Sequence, residues 1–322
     1  MRVFMNFREV RGAYGGANAF LRTLRRELIG RGVSIVADPA VADVALLNAL
    51  TNDIDRDFVE RVAERTPVVH RKVGYRVSGS PEMRRVVDGT VWGDRLQLEF
   101  TPFVRHTIFQ SEYSRNVFAS QGFQGPATII RNGIDDRIFN MTVRRGWRRR
   151  PQPRPLWDGH APREVVISTW SMDKNKGFDD YAQIDEALPA LPHVRVTLVG
   201  RSPVRFRNIR VLRPRSPRGL AAALKRAHVI LQLARHETCS NALLEGLSCG
   251  LPAIYLDSGS NAEVAGPYGA AYEGDIDEAV ADVTGRYGQV TEALREQPFR
   301  IGPVADRYVA VLESVAAGRQ PS

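Results

Sequence analysis

Cysteine is nearly absent from this 322-residue chain: only Cys239 and Cys249 occur, both in one short stretch. Two thiols cannot build a disulfide framework, so the fold must rest on apolar burial, and a reduced, intracellular setting is the simpler expectation. Long apolar runs are missing as well. None approaches the ~20 residues needed to cross a bilayer. The opening MRVFMNF enters a short apolar strand without the long apolar core of an export signal, so a cytoplasmic protein is expected. Lysine is scarce: Lys72, Lys174, Lys176 and Lys225 are the whole set, and the net charge of +9 rests on arginine. Such a bias often follows genome composition, so it does not by itself make a nucleic-acid binder. A basic surface still favours anionic partners such as nucleotides, acidic acceptors or the inner face of a membrane. Zinc-type spacing, a P-loop and a nucleophile elbow are all lacking. The Asp53/Asp55 and Asp275/Asp277 pairs lie in stretches that read as helix starts rather than on a ligand loop. No metal and no cofactor is therefore expected.

What is present is a repeated alternation of strand and helix. Strands are expected at Arg2 to Phe7, Val33 to Val36, Asp43 to Leu47, Pro67 to His70, Thr107 to Gln110 and Ala127 to Ile130. Phe20, Leu21, Leu24 and Leu28 recur at helical spacing within Ala17 to Arg31, and Ser111 is a plausible N-cap for a helix to Ser120. From Met141 to Arg163 the pattern stops in a Pro/Arg-rich stretch holding Arg144, Arg145, Trp147, Arg148, Arg149 and Arg150. It reads as a basic linker. Alternation resumes with strands at Val165 to Thr169, Val194 to Val199, Val229 to Leu233 and Ala253 to Leu256, and a last helix spans Val304 to Ala317. The pattern predicts an α/β protein with two doubly wound domains, 1–140 and 164–300, joined by a linker at 141–163. Ligands of such sheets bind beyond the carboxyl ends of the strands, so the motifs should fall on loops after strands.

They do. Between Ala234 and Tyr272, Glu237 and Glu245 flank a small polar run, Thr238-Cys239-Ser240-Asn241, that reads as a helix start. A helix N-terminus offers unpaired N–H groups and partial positive charge to an anion, while carboxylates accept from sugar hydroxyls. After the first strand of the second half, Lys174-Asn175-Lys176-Gly177 opens a helix, where a lysine can neutralise a diphosphate. Arg201 sits on the loop after the next strand. In the first half, Gly15 and Gly16 follow the first strand, and His70 ends an apolar strand. Each has a plainer reading: a tight turn for the glycines, a structural residue for His70, a solvated turn for Lys174 and Lys176, and a solvated helix face for Glu245.

The glutamate pair resembles the signature of retaining glycosyltransferases of family 4, which have the two-domain GT-B fold. The resemblance implies two Rossmann-like domains facing across a cleft, with residues 301–322 returning as a helix to the N-terminal, acceptor-binding domain. It implies that Glu237 contacts the donor sugar, Glu245 the ribose, Lys176 the diphosphate, and the Gly15-Gly16 loop and His70 the neighbourhood of diphosphate, sugar and acceptor. It places the nucleotide base near Gly200 to Arg205 and Arg210 to Arg213. The family's usual arginine about five residues before the lysine is replaced here by Ser171, so Lys174 or Arg201 would supply the second cation. The activity implied is metal-independent transfer from a nucleoside diphosphate sugar, UDP- or GDP-linked, to a glycan, lipid-linked or small-molecule acceptor. The alternatives are a GT-B phosphorylase or sugar-phosphate synthase, or a basic protein binding nucleic acid or a membrane surface without catalysis.

Overall fold

The computed structural model describes residues 1–7, 16–48, 55–74, 85–87, 90–143, 152–160 and 162–321. The chain divides into two compact units. Unit one is Met1–Glu9, Phe20–Gly133 and Ile301–Ser322, and unit two is Val10–Ala19 and Ile134–Arg300. Among the described residues no helix is long and apolar enough to cross a membrane.

Unit one is built on six parallel strands: β1 (Arg2–Met5), β2 (Ser34–Val36), β3 (Val44–Asn48), β4 (Val68–Arg71), β5 (His106–Phe109) and β6 (Ala127–Ile129). Their order is β2-β1-β3-β4-β5-β6. Strand alternation divides β3 between two cores. Val44 and Leu46 join the cluster that holds Phe20, Leu21, Leu24 and Leu28 of α1 (Gly16–Gly30). Ala45 and Leu47 point the other way, toward Val59 and Val62 of α2 (Arg56–Ala63). Both faces are covered, as a parallel sheet requires. Leu24 and Leu28 are fully buried, and burial of side chains this size contributes roughly 1.5–3 kcal/mol each. The C-terminal helix, Ile301–Ala316, lays Ile301, Ala305, Tyr308, Leu312 and Val315 on the α1 side of this sheet. Helix starts are capped as their sequences suggest. Asp55 accepts from the Phe58 N–H at 2.8 Å, and Ser111 from the Ser114 N–H at 3.0 Å at the start of α4 (Glu112–Ala119). Between them α3 (Trp92–Leu98) buries Asp94 and Gln97.

Unit two carries β7 (Arg163–Thr169), β8 (Val194–Gly200), β9 (Arg210–Leu212), β10 (Val229–Gln232), β11 (Ala253–Tyr255) and β12 (Gly269–Ala271), all parallel. Their order is β9-β8-β7-β10-β11-β12. This is the doubly wound 3-2-1-4-5-6 arrangement. Around the sheet lie α5 (Phe178–Ala187), α6 (Pro217–Leu224), α7 (Asn241–Ser248), α8 (Asn261–Ala265) and α9 (Ile276–Gly285). Arg210 to Leu212, one of the two stretches expected near the nucleotide base, forms the edge strand β9, paired with Thr197 to Val199 of β8.

The segment read as a basic linker pairs with itself and is anchored to the rest of unit two through Arg154. Thr142–Val143 pairs antiparallel with Gln152–Pro153. Arg154, 3% exposed, donates to the carbonyls of Ala227 (2.7 Å) and Gly250 (2.9 Å) and to the Tyr287 hydroxyl (2.8 Å). Arg144, Arg145, Trp147, Arg148, Arg149 and Arg150 lie outside the described residues.

Candidate functional site

The ligand crevice of a doubly wound sheet opens where the strand order reverses, beyond the carboxyl ends. In unit two that place lies between β7 and β10. The loops that follow these strands, 170–177 and 233–240, are joined by backbone and side-chain bonds. The Arg235 N–H donates to the Asn175 carbonyl at 2.7 Å. The Arg235 guanidinium grips the Asp180 carboxylate of α5 with both terminal nitrogens, at 2.6 and 3.1 Å, the bidentate geometry that fixes orientation as well as charge. Gly177 lies at φ +81°, and a Cβ there would stand 2.6 Å from the Leu233 carbonyl oxygen, so no other residue lets the two loops come this close.

Across this junction Lys176 Nζ meets Glu237 Oε1 at 2.5 Å, with side-chain exposures of 19% and 12%. The residues are 61 positions apart. Lys176 comes from a short 3₁₀ turn, Lys174–Lys176, whose cap is the Asp173 carboxylate accepting from the Asn175 N–H. Glu237 is held from behind by the loop after β11. Its carbonyl accepts from the Ser260 N–H at 2.8 Å. Gly259, at φ +65°, packs so closely that a Cβ would stand 2.4 Å from the Glu237 carbonyl oxygen. The preceding His236 adopts φ +58° and donates its N–H to Ser258 Oγ at 3.1 Å. A left-handed conformation is strained for a residue with a side chain, and surrounding bonds have to hold it. Asn261, fully buried, donates to the carbonyls of Ala234 (2.8 Å) and Leu256 (3.1 Å) and so stitches the two loops together.

The helix start expected at Thr238 to Asn241 is α7. Ser240 is its N-cap, with Oγ accepting from the Leu243 N–H at 3.4 Å. That hydroxyl is also held by Gln232 Nε2 at 3.1 Å, and Gln232 Oε1 accepts from the Tyr181 hydroxyl, which itself accepts from the Leu233 N–H at 3.0 Å. A buried chain of hydrogen bonds thus ties the end of β10 to the α7 N-terminus. Thr238 is half-buried, and Cys239 is a buried cysteine, in no disulfide, within the apolar cluster under α7. Glu245 lies one turn beyond Asn241. It is 7% exposed, and no hydrogen bond or ion pair reaches its carboxyl among the described residues. Burial pushes its pKa up from 4.5 to about 8. Burial is the whole cause of that shift, since no charged partner acts on the carboxyl.

The remaining candidates fall less tightly. Lys174 and Arg201 are exposed on loops at the same edge of the sheet, and neither has an ion pair among the described residues. Ser171 is exposed, and its hydroxyl caps the Asp173 N–H at 3.1 Å. In unit one, Gly15 lies outside the described residues, and Gly16 is the first residue of α1. His70 is fully buried with its ring 5.3 Å from that of Phe100, and neither ring nitrogen has a partner among the described residues. Burial, with the Lys72 charge added, holds its pKa well below the ordinary value. It is a neutral ring inside unit one in this state. Among the described residues no cluster of His, Cys, Asp and Glu is placed to hold a metal ion.

Sequence reading left out four residues that assemble the site: Asp180, Tyr181, Gln232 and Arg235. The loop glycines were the available signal. The Asp180–Arg235 pairing had none, because its partners are 55 residues apart.

The Lys176–Glu237 pair and the start of α7 thus both follow strands at the carboxyl end of the unit-two sheet. No family model matches the chain, and no curated protein matches it. Solved structures do. Sucrose-phosphate synthase from Thermosynechococcus elongatus is similar at a TM-score of 0.66 and 12% identity over 98% of this chain and 99% of its own. The Anabaena protein HepE, in complex with UDP and glucose, gives 0.64 and 13% over 98% and 100%. AviGT4, a glycosyltransferase involved in avilamycin A biosynthesis, gives 0.59 and 15% over 98% of both chains. At these identities the likeness establishes the fold: two Rossmann-like units with parallel six-stranded sheets, the GT-B architecture.

Proposed function

We propose that this chain is a glycosyltransferase of the family 4 type. It moves a sugar from a UDP- or GDP-linked donor to a hydroxyl of a glycan, lipid-linked or small-molecule acceptor, with retention and without a metal. The observation that carries the reading is the Lys176–Glu237 contact at the switch point of the unit-two sheet. A cation for phosphate and an acceptor for hydroxyls stand side by side where such a sheet binds nucleotides. The HepE structures with UDP and UDP-glucose support the choice of donor class.

In this reading the donor's anomeric C–O bond breaks and the diphosphate leaves with the bonding electrons. Lys176, the N–H groups at the start of α7 and Lys174 or Arg201 take up that charge, which is where preorganised donors help most. Glu237 orients the sugar hydroxyls and Glu245 the ribose. The acceptor hydroxyl attacks from the face the diphosphate leaves, and its proton passes to the departing phosphate oxygen. Unit one binds the acceptor. His70, whose two ring nitrogens have no partner among the described residues, is the group of unit one assigned to the neighbourhood of sugar and acceptor.

Release of UDP or GDP from UDP-glucose and GDP-mannose, with a panel of sugar acceptors, tests this. Lys176→Ala and Glu237→Ala should each lower turnover by about 100–1,000-fold, the size seen when one charge-stabilising group is removed, with unchanged circular dichroism. Near-normal turnover in either variant refutes the assignment. A basic surface that merely binds polyanions would instead survive both substitutions.

A further inference from the structure

Arg71 ends β4 at the carboxyl edge of the unit-one sheet, with 2% of its surface exposed. Among the described residues the contacts of its guanidinium are neutral. Nη1 donates to Asn48 Oδ1 and Nη2 to Asn132 Oδ1, both at 2.7 Å, and the Phe20 ring lies 4.9 Å from Cζ. Nε is buried without a partner. Among the described residues no carboxylate pairs with it, whereas Arg2, Arg31 and Arg235 each meet one. A guanidinium has five N–H donors, and two are used here. A buried charge without a counter-charge is strongly penalised. The two asparagine oxygens solvate Arg71 only in part.

The position is as telling as the charge. In the order β2-β1-β3-β4 the direction of winding reverses between β1 and β3, so the crevice of unit one opens beyond their ends. Asn6 follows β1 and Asn48 ends β3. Asn6 Oδ1 accepts from the Asn48 N–H at 2.7 Å, and its Nδ2 donates to the Asn48 carbonyl at 3.3 Å. Both are half-buried, so the network runs from the buried guanidinium to the surface at that crevice. We propose that Arg71 recognises an oxyanion, a phosphate or carboxylate, carried by the molecule that receives the sugar and seated at the β1–β3 crevice of unit one. The planar fork of a guanidinium matches such an anion with two parallel hydrogen bonds. The ligand's identity as acceptor rests on the transferase reading; the anion site itself does not.

Calorimetric titration of the whole chain with glucose 6-phosphate, glucuronate, glucose and UDP tests this. A Lys176→Ala variant keeps the donor side from contributing phosphate affinity. In it, one of the charged sugars should still bind at least about tenfold tighter than glucose, the factor one charge-assisted hydrogen bond supports. The tighter of the two identifies the anion. Arg71→Met should lose this preference and keep its UDP affinity. Asn48→Asp sets a carboxylate against Nη1 and supplies the missing counter-charge internally. It should melt higher and lose the preference, which a purely structural arginine would not cause. This arm decides the matter if Arg71→Met does not fold. Equal binding of charged and neutral sugars overturns the proposal, as does an unchanged preference in Asn48→Asp or joint loss of UDP and sugar binding in folded Arg71→Met. Failure of the wild-type chain to bind UDP would instead strike the transferase reading and leave the charged-sugar comparison readable.

Discussion

Replacing Glu245 with glutamine should remove a pH dependence of stability that the wild-type chain carries in unit two. Burial raises this carboxyl from 4.5 to about 8. Between these values the folded state keeps a proton that the unfolded chain releases, so stability falls as pH rises, by about 1.4 kcal/mol per unit for one group. The contribution is fully present below pH 4.5 and lost as pH rises through about 8. Over the whole window the ceiling is about 5 kcal/mol, and relaxation around the ionised carboxylate makes a few kcal/mol the working expectation. Lys72 of unit one acts in the opposite sense. Burial lowers its pKa from 10.5 to about 7, so the unfolded chain binds the extra proton in that window and stability rises with pH. The difference between wild type and Glu245→Gln isolates the glutamate. Urea unfolding at pH 5 and pH 8, followed by circular dichroism, reads it. If the units unfold separately, only the transition of unit two should respond. The two proteins should be similar at pH 5, and the variant more stable by a few kcal/mol at pH 8. A difference that does not change between these pH values refutes the claim that this acid is buried unpaired. The same logic reaches binding. A carboxylate accepts from ribose hydroxyls more strongly than a protonated carboxyl does, so UDP binding near pH 7 should draw a proton off Glu245. That release appears as a buffer-dependent heat.

Two substitutions test the scaffold behind the site. Gly259→Ala puts a Cβ against the Glu237 backbone at a left-handed position. It should lower stability by about 1–3 kcal/mol and impair turnover further by shifting Glu237; unchanged kcat/KM would show that this loop does not place the glutamate. Tyr181→Phe leaves the Leu233 N–H and Gln232 Oε1 without their partner. It should lower stability in urea by about 1–3 kcal/mol and weaken UDP binding, and wild-type behaviour in both would separate this network from the site.

The legible part of this protein was its local part. α1, with apolar residues three and four apart, and α4, with Ser111 as cap, read directly because helix period and capping lie within a turn or two of sequence. Most strands read as short apolar runs for the same reason. β9 and β12 escaped, because three-residue edge strands such as Arg210–Leu212 and Gly269–Ala271 have no room for a pattern. The candidate site was legible as motifs on loops after strands. How Lys176, Glu237 and Glu245 relate to one another was not, and neither was the burial of His70 and Arg71.

By itself the sequence determined the class: alternating strand and helix, no disulfide framework, and small polar and glycine-rich loops where strands end. These follow from composition and short-range periodicity. The tertiary structure decided the rest. Strand order brings the loops after β7 and β10 together, and so sets Lys176 against Glu237 across 61 residues. Sheet and helix packing remove Glu245 and Arg71 from water without giving either an opposite charge. Crossover direction and burial are properties of the whole packed domain, and no window of sequence contains them.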